Sequence, residues 1–222
     1  GQWSRLAGNV FLDWLGADTN KRWVDVGCGN GAFSEVVMER CSPASLVGFD
    51  PSPEQLDFAR GRPKTAGARF EQGDAMDLPL RDDSVEVATM ALVLFFGPEP
   101  ATGIAEMRRV VAPGGLVAAY SWDVLNGGFP LNAIQEELRA MGHTPPLPPS
   151  AESSRFEAMT SLWSDAGLRD VELREITVER TFADFDELWE ISNLGPSIGP
   201  LVASLAPKDV RSLKRRVQAR FK

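Results

Sequence analysis

Several residue types are scarce in this 222-residue sequence, and each scarcity argues against a class of protein. Only two cysteines are present, Cys28 and Cys41, which is too few for the disulfide framework of a small secreted domain. We therefore expect a cytoplasmic protein. The longest strongly apolar run, 87–96, has about half of the roughly 20 residues that a membrane-spanning helix requires, so we expect no membrane partner.

Basic residues are outnumbered by acidic ones. The formal net charge is −8, whereas nucleic-acid-binding domains are usually basic, so we expect no nucleic-acid partner. The single histidine, His143, lies in a proline-rich stretch at 142–150, and a solvent-exposed loop position is a better interpretation than a catalytic base. No group of residues has the spacing of a metal site, so we predict no metal. The sequence gives no indication of the oligomeric state.

Two kinds of apolar pattern alternate along the first half of the chain. Short strand patterns occur at 22–26, 45–49, 68–72, 85–90 and 116–122, and segments with the period of a helix separate them. This alternation predicts a Rossmann-like α/β fold, in which helices flank a mostly parallel sheet.

The pattern is looser after residue 123. Helices are predicted at 131–141 and from about 184 onward. The stretch 171–182 is a long candidate strand, and its alternation slips between Leu173 and Ile176, which suggests a bulge.

A glycine-rich turn, VDVGCGNG at 24–31, joins the first strand to the next helix. Glycines allow a ligand to approach the backbone closely there. An acid, Asp50, ends the second strand, and another, Asp74, follows the third. Each feature alone has a structural explanation, as a tight turn or a cap. Because ligands bind at the carboxyl ends of parallel strands, the three features at successive strand ends favour a ligand site.

Four segments between residues 22 and 123 carry a family resemblance. They are VDVGCGNGAFS, VGFDPSPEQLDFAR, EQGDAMDLPLRDDSVEVATMALVLFF and EMRRVVAPGGLVAAYSW. In this order and spacing the chain resembles the class I S-adenosylmethionine (SAM)-dependent methyltransferases, in the branch similar to the ubiquinone/menaquinone-biosynthesis methyltransferases. The resemblance implies a single domain over 1–222 that transfers a methyl group from SAM to a small-molecule acceptor, with S-adenosylhomocysteine as product.

The resemblance also implies a set of cofactor-binding residues. Gly27 and Gly29 would lie against the methionine part, to which Arg5 would also bind. Asp25 would order that loop, and Cys28 within the loop belongs to the same set. Asp50 would hold the ribose, with Pro51 beside it. Asp74 and Ala75 would bind the adenine, and Met90 and Ala91 would line the reacting end. No catalytic residue is assigned, because the sulfonium is already a good leaving group and alignment supplies much of the rate.

Further expectations concern the ends of the site. Residues 1–15 would form an N-terminal helix or lid, from which Arg5 would clamp the methionine carboxylate. Residues 124–165 would form a substrate-side insertion. Phe95 and Phe96 would either face the sulfonium or the acceptor, or pack in the core.

Two alternative functions use the same turn and ribose acid. One is a nicotinamide-dependent oxidoreductase, against which stand the G-x-G-x-G spacing and the Asp74 element. The other is a domain that binds SAM without catalysis. The family fold also ends in an antiparallel strand for which the sequence has no pattern, so we predict that the chain continues beyond Lys222.

Overall fold

The computed structural model describes residues 1–16, 18–193 and 198–221. In this part of the chain, five strands form one sheet in the order β3-β2-β1-β4-β5, and every neighbouring pair is parallel. The strands are β1 (Arg22–Val26), β2 (Ser45–Asp50), β3 (Arg69–Gln72), β4 (Val85–Ala91) and β5 (Val111–Tyr120). The predicted α/β fold with a mostly parallel sheet is therefore confirmed.

Helices flank the sheet and follow it. They are α1 (Gln2–Leu15), α2 (Ala32–Cys41), α3 (Pro53–Arg60), α4 (Pro100–Val110), α5 (Asn132–Ala140), α6 (Phe156–Asp165), α7 (Phe185–Asn193), α8 (Gly199–Ser204) and α9 (Pro207–Gln218). The start of α3 follows directly from its sequence. The Ser52 hydroxyl accepts a hydrogen bond from the Gln55 N–H at 3.3 Å, and Pro53 takes the first helical position.

The core lies on both faces of the sheet, because successive side chains of a strand point in opposite directions. Val24 and Val26 of β1 enter one buried cluster, which also contains residues of α4. Trp23 enters the other cluster, together with Phe11 of α1 and Phe33 of α2. Burial on both faces explains why the strands read as nearly continuous apolar runs.

Strand β5 begins earlier than the sequence indicates. Its pairing with β4 shifts between Val85, opposite Val111, and Val87, opposite Leu116. The extra residues form an irregularity at Pro113-Gly114-Gly115, where a Cβ on Gly115 would lie 2.5 Å from the Glu86 carbonyl oxygen. The predicted start at 116 is therefore the point where regular pairing begins.

The predicted strand at 171–182 is wrong: the structure assigns no strand to this segment. Side chains still alternate between half-buried and exposed, but the alternation slips after Leu173, so a continuous strand would put its apolar groups on opposite faces. Ile176 and Val178 instead pack against the cluster around Trp23. Among the described strands, β5 is consequently an edge strand.

The C-terminal helices make a separate apolar cluster. Trp189 of α7, Val202 of α8, and Leu213 and Val217 of α9 pack with residues of α5. Arg216 of α9 also donates to a carboxylate of α5 at 2.7 Å. A continuation past Lys222 lies outside the described residues and stays a prediction.

Candidate functional site

A cleft of about 340 Å³ opens at the carboxyl ends of β1, β2 and β4. Pockets for small ligands typically have volumes of about 300–1,000 Å³. The lining includes the glycine turn after β1, Asp50 at the end of β2, and the stretch 91–93 at the end of β4. The ends of β1, β2 and β4 therefore meet at one cavity, whereas the sequence predicted a ligand site at the ends of the first three strands.

The glycine turn is left-handed at three positions. Gly27, Gly29 and Gly31 have φ values of 69°, 52° and 74°. A Cβ on Gly27 would lie 2.6 Å from the Val93 side chain, whereas at Gly29 the nearest atom would be 4.0 Å away. Gly27 is therefore required by packing against the segment after β4. Gly29 instead leaves open space within the cleft.

Asp50 is held by the turn that it faces. One carboxylate oxygen accepts from the Gly29 N–H at 2.9 Å, and the other accepts from the Ser52 N–H at 3.0 Å. A carboxylate has about four lone-pair sites, so roughly two remain for a ligand. The group is thus fixed in position while it keeps the capacity to accept hydrogen bonds from hydroxyl groups.

Asp25 also lines the cleft, but it is fully buried. One carboxylate oxygen accepts from the Ser34 hydroxyl at 2.5 Å, and the other, Oδ1, has no hydrogen-bond partner within the described part of the chain. Burial raises the pKa of this carboxyl to about 7, and the negative charge of Asp50 adds to the effect. Near neutral pH Asp25 is therefore poised between its charged and neutral forms.

Several residues predicted to bind a cofactor lie elsewhere. Asp74 is exposed and accepts from the Met76 N–H at 2.9 Å, and neither Asp74 nor Ala75 lines the cleft. Met90 is buried in the core, although Ala91 beside it lines the cleft. Pro51 is exposed next to Asp50. The roles of these residues stay predictions.

Arg5 is turned toward α2. Its guanidinium donates to Glu35 and to Glu39, each at 2.8 Å, and it does not line the cleft. A clamp on a ligand carboxylate would have to replace one of these contacts, so the clamp also stays a prediction.

The structure adds lining residues that the sequence reasoning missed. They are Gly1 and Ser4 at the start of α1, Asn30, Ala32 and Phe33 after the turn, Gln55 on α3, and Leu92 and Val93 after β4. Leu92 has a φ of 62°, a conformation uncommon outside glycine, and its N–H donates to the Tyr120 carbonyl at 2.9 Å. Such backbone strain clusters at functional sites.

The two phenylalanines after β4 lie in different environments. Phe96 lines the cleft and is 55% exposed, whereas Phe95 is buried in the protein, with the two ring centroids 4.6 Å apart. The end of the proline-rich loop joins this segment, because the Ser150 hydroxyl donates to the Gly97 carbonyl at 2.6 Å. Part of the predicted insertion at 124–165 therefore lies beside the cleft-lining segment.

Comparisons with known proteins agree with this geometry. Residues 24–119 match a family described as a methyltransferase domain. A demethylmenaquinone methyltransferase of Deinococcus radiodurans is 37% identical over 115 residues, which are 51% of this chain and 46% of that protein. A fatty-acid O-methyltransferase of Mycolicibacterium smegmatis is 27% identical over 177 residues, which are 80% of this chain and 60% of that protein.

A solved structure extends the likeness in fold to almost the whole chain. The crystal structure of a putative methyltransferase from an antibiotic biosynthesis pathway of Anabaena variabilis superposes with a TM-score of 0.70, at 15% identity, over 97% of this chain and 87% of that one. The chain spans roughly half the length of the curated relatives described above.

Proposed function

We propose, from the match of residues 24–119 to a methyltransferase-domain family and the likeness to a demethylmenaquinone methyltransferase, that this chain transfers the methyl group of SAM to a small-molecule acceptor. The observation that carries the proposal is the pairing of Asp50 with Gly29 at the mouth of an open cleft. Asp50 keeps acceptor capacity for the two ribose hydroxyls, and Gly29 leaves room for the ligand beside it.

The charge of the cleft supports the implied cofactor. SAM carries a sulfonium and an ammonium group, and Asp50, together with Asp25 in its charged form, supplies negative charge within the same cavity. The unpartnered Oδ1 of Asp25 is a buried acceptor, and such groups carry a free-energy penalty until they are paired. A cationic ligand relieves that penalty.

The protein residues contribute alignment and exclusion of water. SAM, when bound, supplies an activated methyl group, so a nucleophilic side chain is unnecessary. Asp50 orients the nucleoside end, Gly29 lies against the methionine part, and the segment 91–93 with Phe96 lines the reacting end. Proximity and orientation are worth roughly 7–11 kcal/mol in favourable cases.

The names of relatives, the net charge and the free cysteines support the proposed partners and compartment. The named relatives act on demethylmenaquinone and on fatty acids, which supports a small organic acceptor. The net charge of −8 supports the absence of a nucleic-acid partner. None of the described helices is long and apolar enough to cross a membrane. Cys28 and Cys41 are both free, which supports a cytoplasmic location.

Isothermal titration calorimetry tests the cofactor. We expect SAM and S-adenosylhomocysteine to bind with dissociation constants in the micromolar range, and NAD to give no heat of binding. Tight binding of NAD without binding of SAM would favour the oxidoreductase alternative. Consumption of SAM across a panel of metabolites then separates an enzyme from a domain that binds SAM without catalysis.

Hydrogen exchange tests the lid at 1–15. The amides of 2–4 precede the first intrahelical hydrogen bond, from the Arg5 N–H to the Gly1 carbonyl, and the side chains of 2–6 are exposed or half-buried, whereas Ala7, Phe11 and Leu12 are buried. We therefore expect the amides of 2–6 to exchange quickly in the free protein and several-fold more slowly with S-adenosylhomocysteine bound. The rest of α1 stays protected in both states. Peptides from α9 are the internal control, and equal rates at 2–6 with and without ligand would contradict a lid.

A further inference from the structure

Arg180 is a buried charge with little compensation. Its side chain is 8% exposed, and its buried Nε has no hydrogen-bond partner among the residues that the structure describes. Its ion pair within the described residues, with Glu187, is long at 3.7 Å, and that carboxylate already accepts from the Ala183 N–H at 2.7 Å. Burying a charge without close pairing costs free energy, so a guanidinium in this state is a strong candidate to receive an anion.

One aromatic ring lies over this guanidinium, and two more extend from that ring. Its central carbon lies 4.4 Å from the ring centroid of Phe182. Trp3 of α1 contacts Phe182 with centroids 6.4 Å apart and meets Trp122 edge to face at 6.2 Å. We call Trp3, Trp122 and Phe182 the aromatic wall. Arg180 thus lies against Phe182, and the other two rings of the aromatic wall continue from Phe182 through Trp3 to Trp122.

The aromatic wall approaches the cleft through Trp3, which stands between the cleft-lining residues Gly1 and Ser4 in the sequence, although none of its three rings lines the cleft. Ser4, next to Trp3 on α1, lines the cleft. Trp122 follows β5, whereas Asp50 ends β2, and β1 and β4 lie between these two strands in the sheet. The nucleoside end of the cofactor is assigned to Asp50, so the wall lies where the other reactant would enter. Burial lowers the pKa of the amino group of Gly1, a cleft residue, and the positive charges of Arg62 and, to a smaller extent, Arg180 lower it further.

We propose that Arg180 binds the carboxylate of the methyl acceptor, and that the acceptor is a flat, apolar molecule whose body packs against the aromatic wall. The guanidinium presents a planar fork of donors that matches a carboxylate, and a single carboxylate is easier to desolvate than a more highly charged group. The assignment rests on the proposed function, since it names the acceptor of that reaction.

Access to Arg180 involves the first turn of α1. Trp3 and Ser4 are half-buried, and the deeply buried contacts of the helix begin at Ala7. Movement of this turn shifts one member of the aromatic wall without disturbing the packing of Phe11. Binding of the acceptor therefore changes the environment of a tryptophan.

A pair of matched ligands tests the proposal. The probes are 2-naphthoate and 2-naphthamide, which share a flat body and differ in charge, titrated calorimetrically into protein saturated with S-adenosylhomocysteine. We expect wild-type protein to bind the carboxylate at least tenfold more tightly than the amide, with a change in tryptophan fluorescence. Arg180→Gln abolishes this preference, and Arg180→Lys, which keeps the charge but loses the fork, retains part of it. Arg174→Gln, at an exposed position of the same segment, leaves the preference unchanged.

Three results would overturn the proposal. The first is equal affinity of the two probes for wild-type protein, which requires no variant to fold. The second is a carboxylate preference that survives in folded Arg180→Gln. The third is a loss of S-adenosylhomocysteine affinity in Arg180→Gln that matches the loss of naphthoate affinity, because Arg180 would then serve the cofactor carboxylate. Absence of S-adenosylhomocysteine binding to wild-type protein would instead contradict the proposed function, so the two failures are distinguishable.

Discussion

Replacing Asp50 with alanine is expected to weaken the binding of S-adenosylhomocysteine by at least tenfold while the protein stays folded. Hydrogen bonds to a charged group contribute about 1.5–3 kcal/mol each, and a tenfold change corresponds to about 1.4 kcal/mol. The variant loses the ribose contacts, and it also frees the Gly29 N–H that the carboxylate fixes at 2.9 Å. Calorimetric titration of folded protein measures the effect.

Two control variants separate the effect of the Asp50 charge from the effect of losing any carboxylate near the site. Asp50→Asn keeps the shape and one acceptor oxygen, so its loss of affinity should lie between those of wild type and Asp50→Ala. Asp57→Ala removes an exposed carboxylate of α3 that pairs with Arg60 on the surface, and it should leave the affinity unchanged. If folded Asp50→Ala bound as tightly as wild type, Asp50 would have no place in the site.

Asp25→Asn is expected to stabilise the free protein at pH 8 and to flatten its dependence on pH. Burial raises the pKa of the carboxyl from 3.8 to about 7, so the folded state holds the proton more tightly than the unfolded state. This group therefore contributes most to stability in acid, and that contribution is lost as the pH rises from about 4 to about 7. The asparagine variant has no charge to bury, so it avoids a loss on the order of a few kcal/mol.

Urea unfolding at pH 5 and pH 8 measures this effect. Between these pH values the wild-type free energy of unfolding should fall relative to that of Asp25→Asn. Asp57→Asn, at the exposed position, should follow the wild type. Parallel profiles for wild type and Asp25→Asn would show that the carboxyl titrates normally. Because a cationic ligand favours the charged carboxylate, S-adenosylmethionine should also bind wild type more tightly as the pH rises through 7.

The sequence predicted those parts of the site that depend only on where strands end and on the order in which they follow one another. Strand ends are marked by the change from apolar residues to glycine or acid, and parallel strands bring their ends to one edge. The turn at 27–29 and Asp50 could therefore be placed together without knowledge of side-chain contacts. The same reasoning put Asp74 in the site, but it concerns the order of strands and not the direction of a side chain, and Asp74 is exposed outside the cleft lining.

Contacts between distant segments could not be predicted in this way. Gly1 and Ser4 line the cleft because α1 packs through Phe11, whose ring centroid lies 4.9 Å from that of Tyr120 more than a hundred residues away. The partners of Arg5 lie on α2, and nothing near Arg5 in the sequence indicates them. The stretch 171–182 has strand-like composition, but its pairing depends on a register that the slip after Leu173 disrupts.

The carboxylate of Glu35 joins two parts of the site that are far apart in the sequence. It accepts from Arg5 of α1 at 2.8 Å and from Arg62, beyond α3, at 3.0 Å, and Arg62 also donates to the carbonyl of Asn30 in the glycine turn. The first turn of α1 and the turn that faces the cofactor thus share one counterion. If α1 closes on cofactor binding, as we predict, the two turns are linked, and linkage is reciprocal: the free energy that cofactor binding contributes to the predicted closure equals the free energy that closure contributes to the affinity for the cofactor.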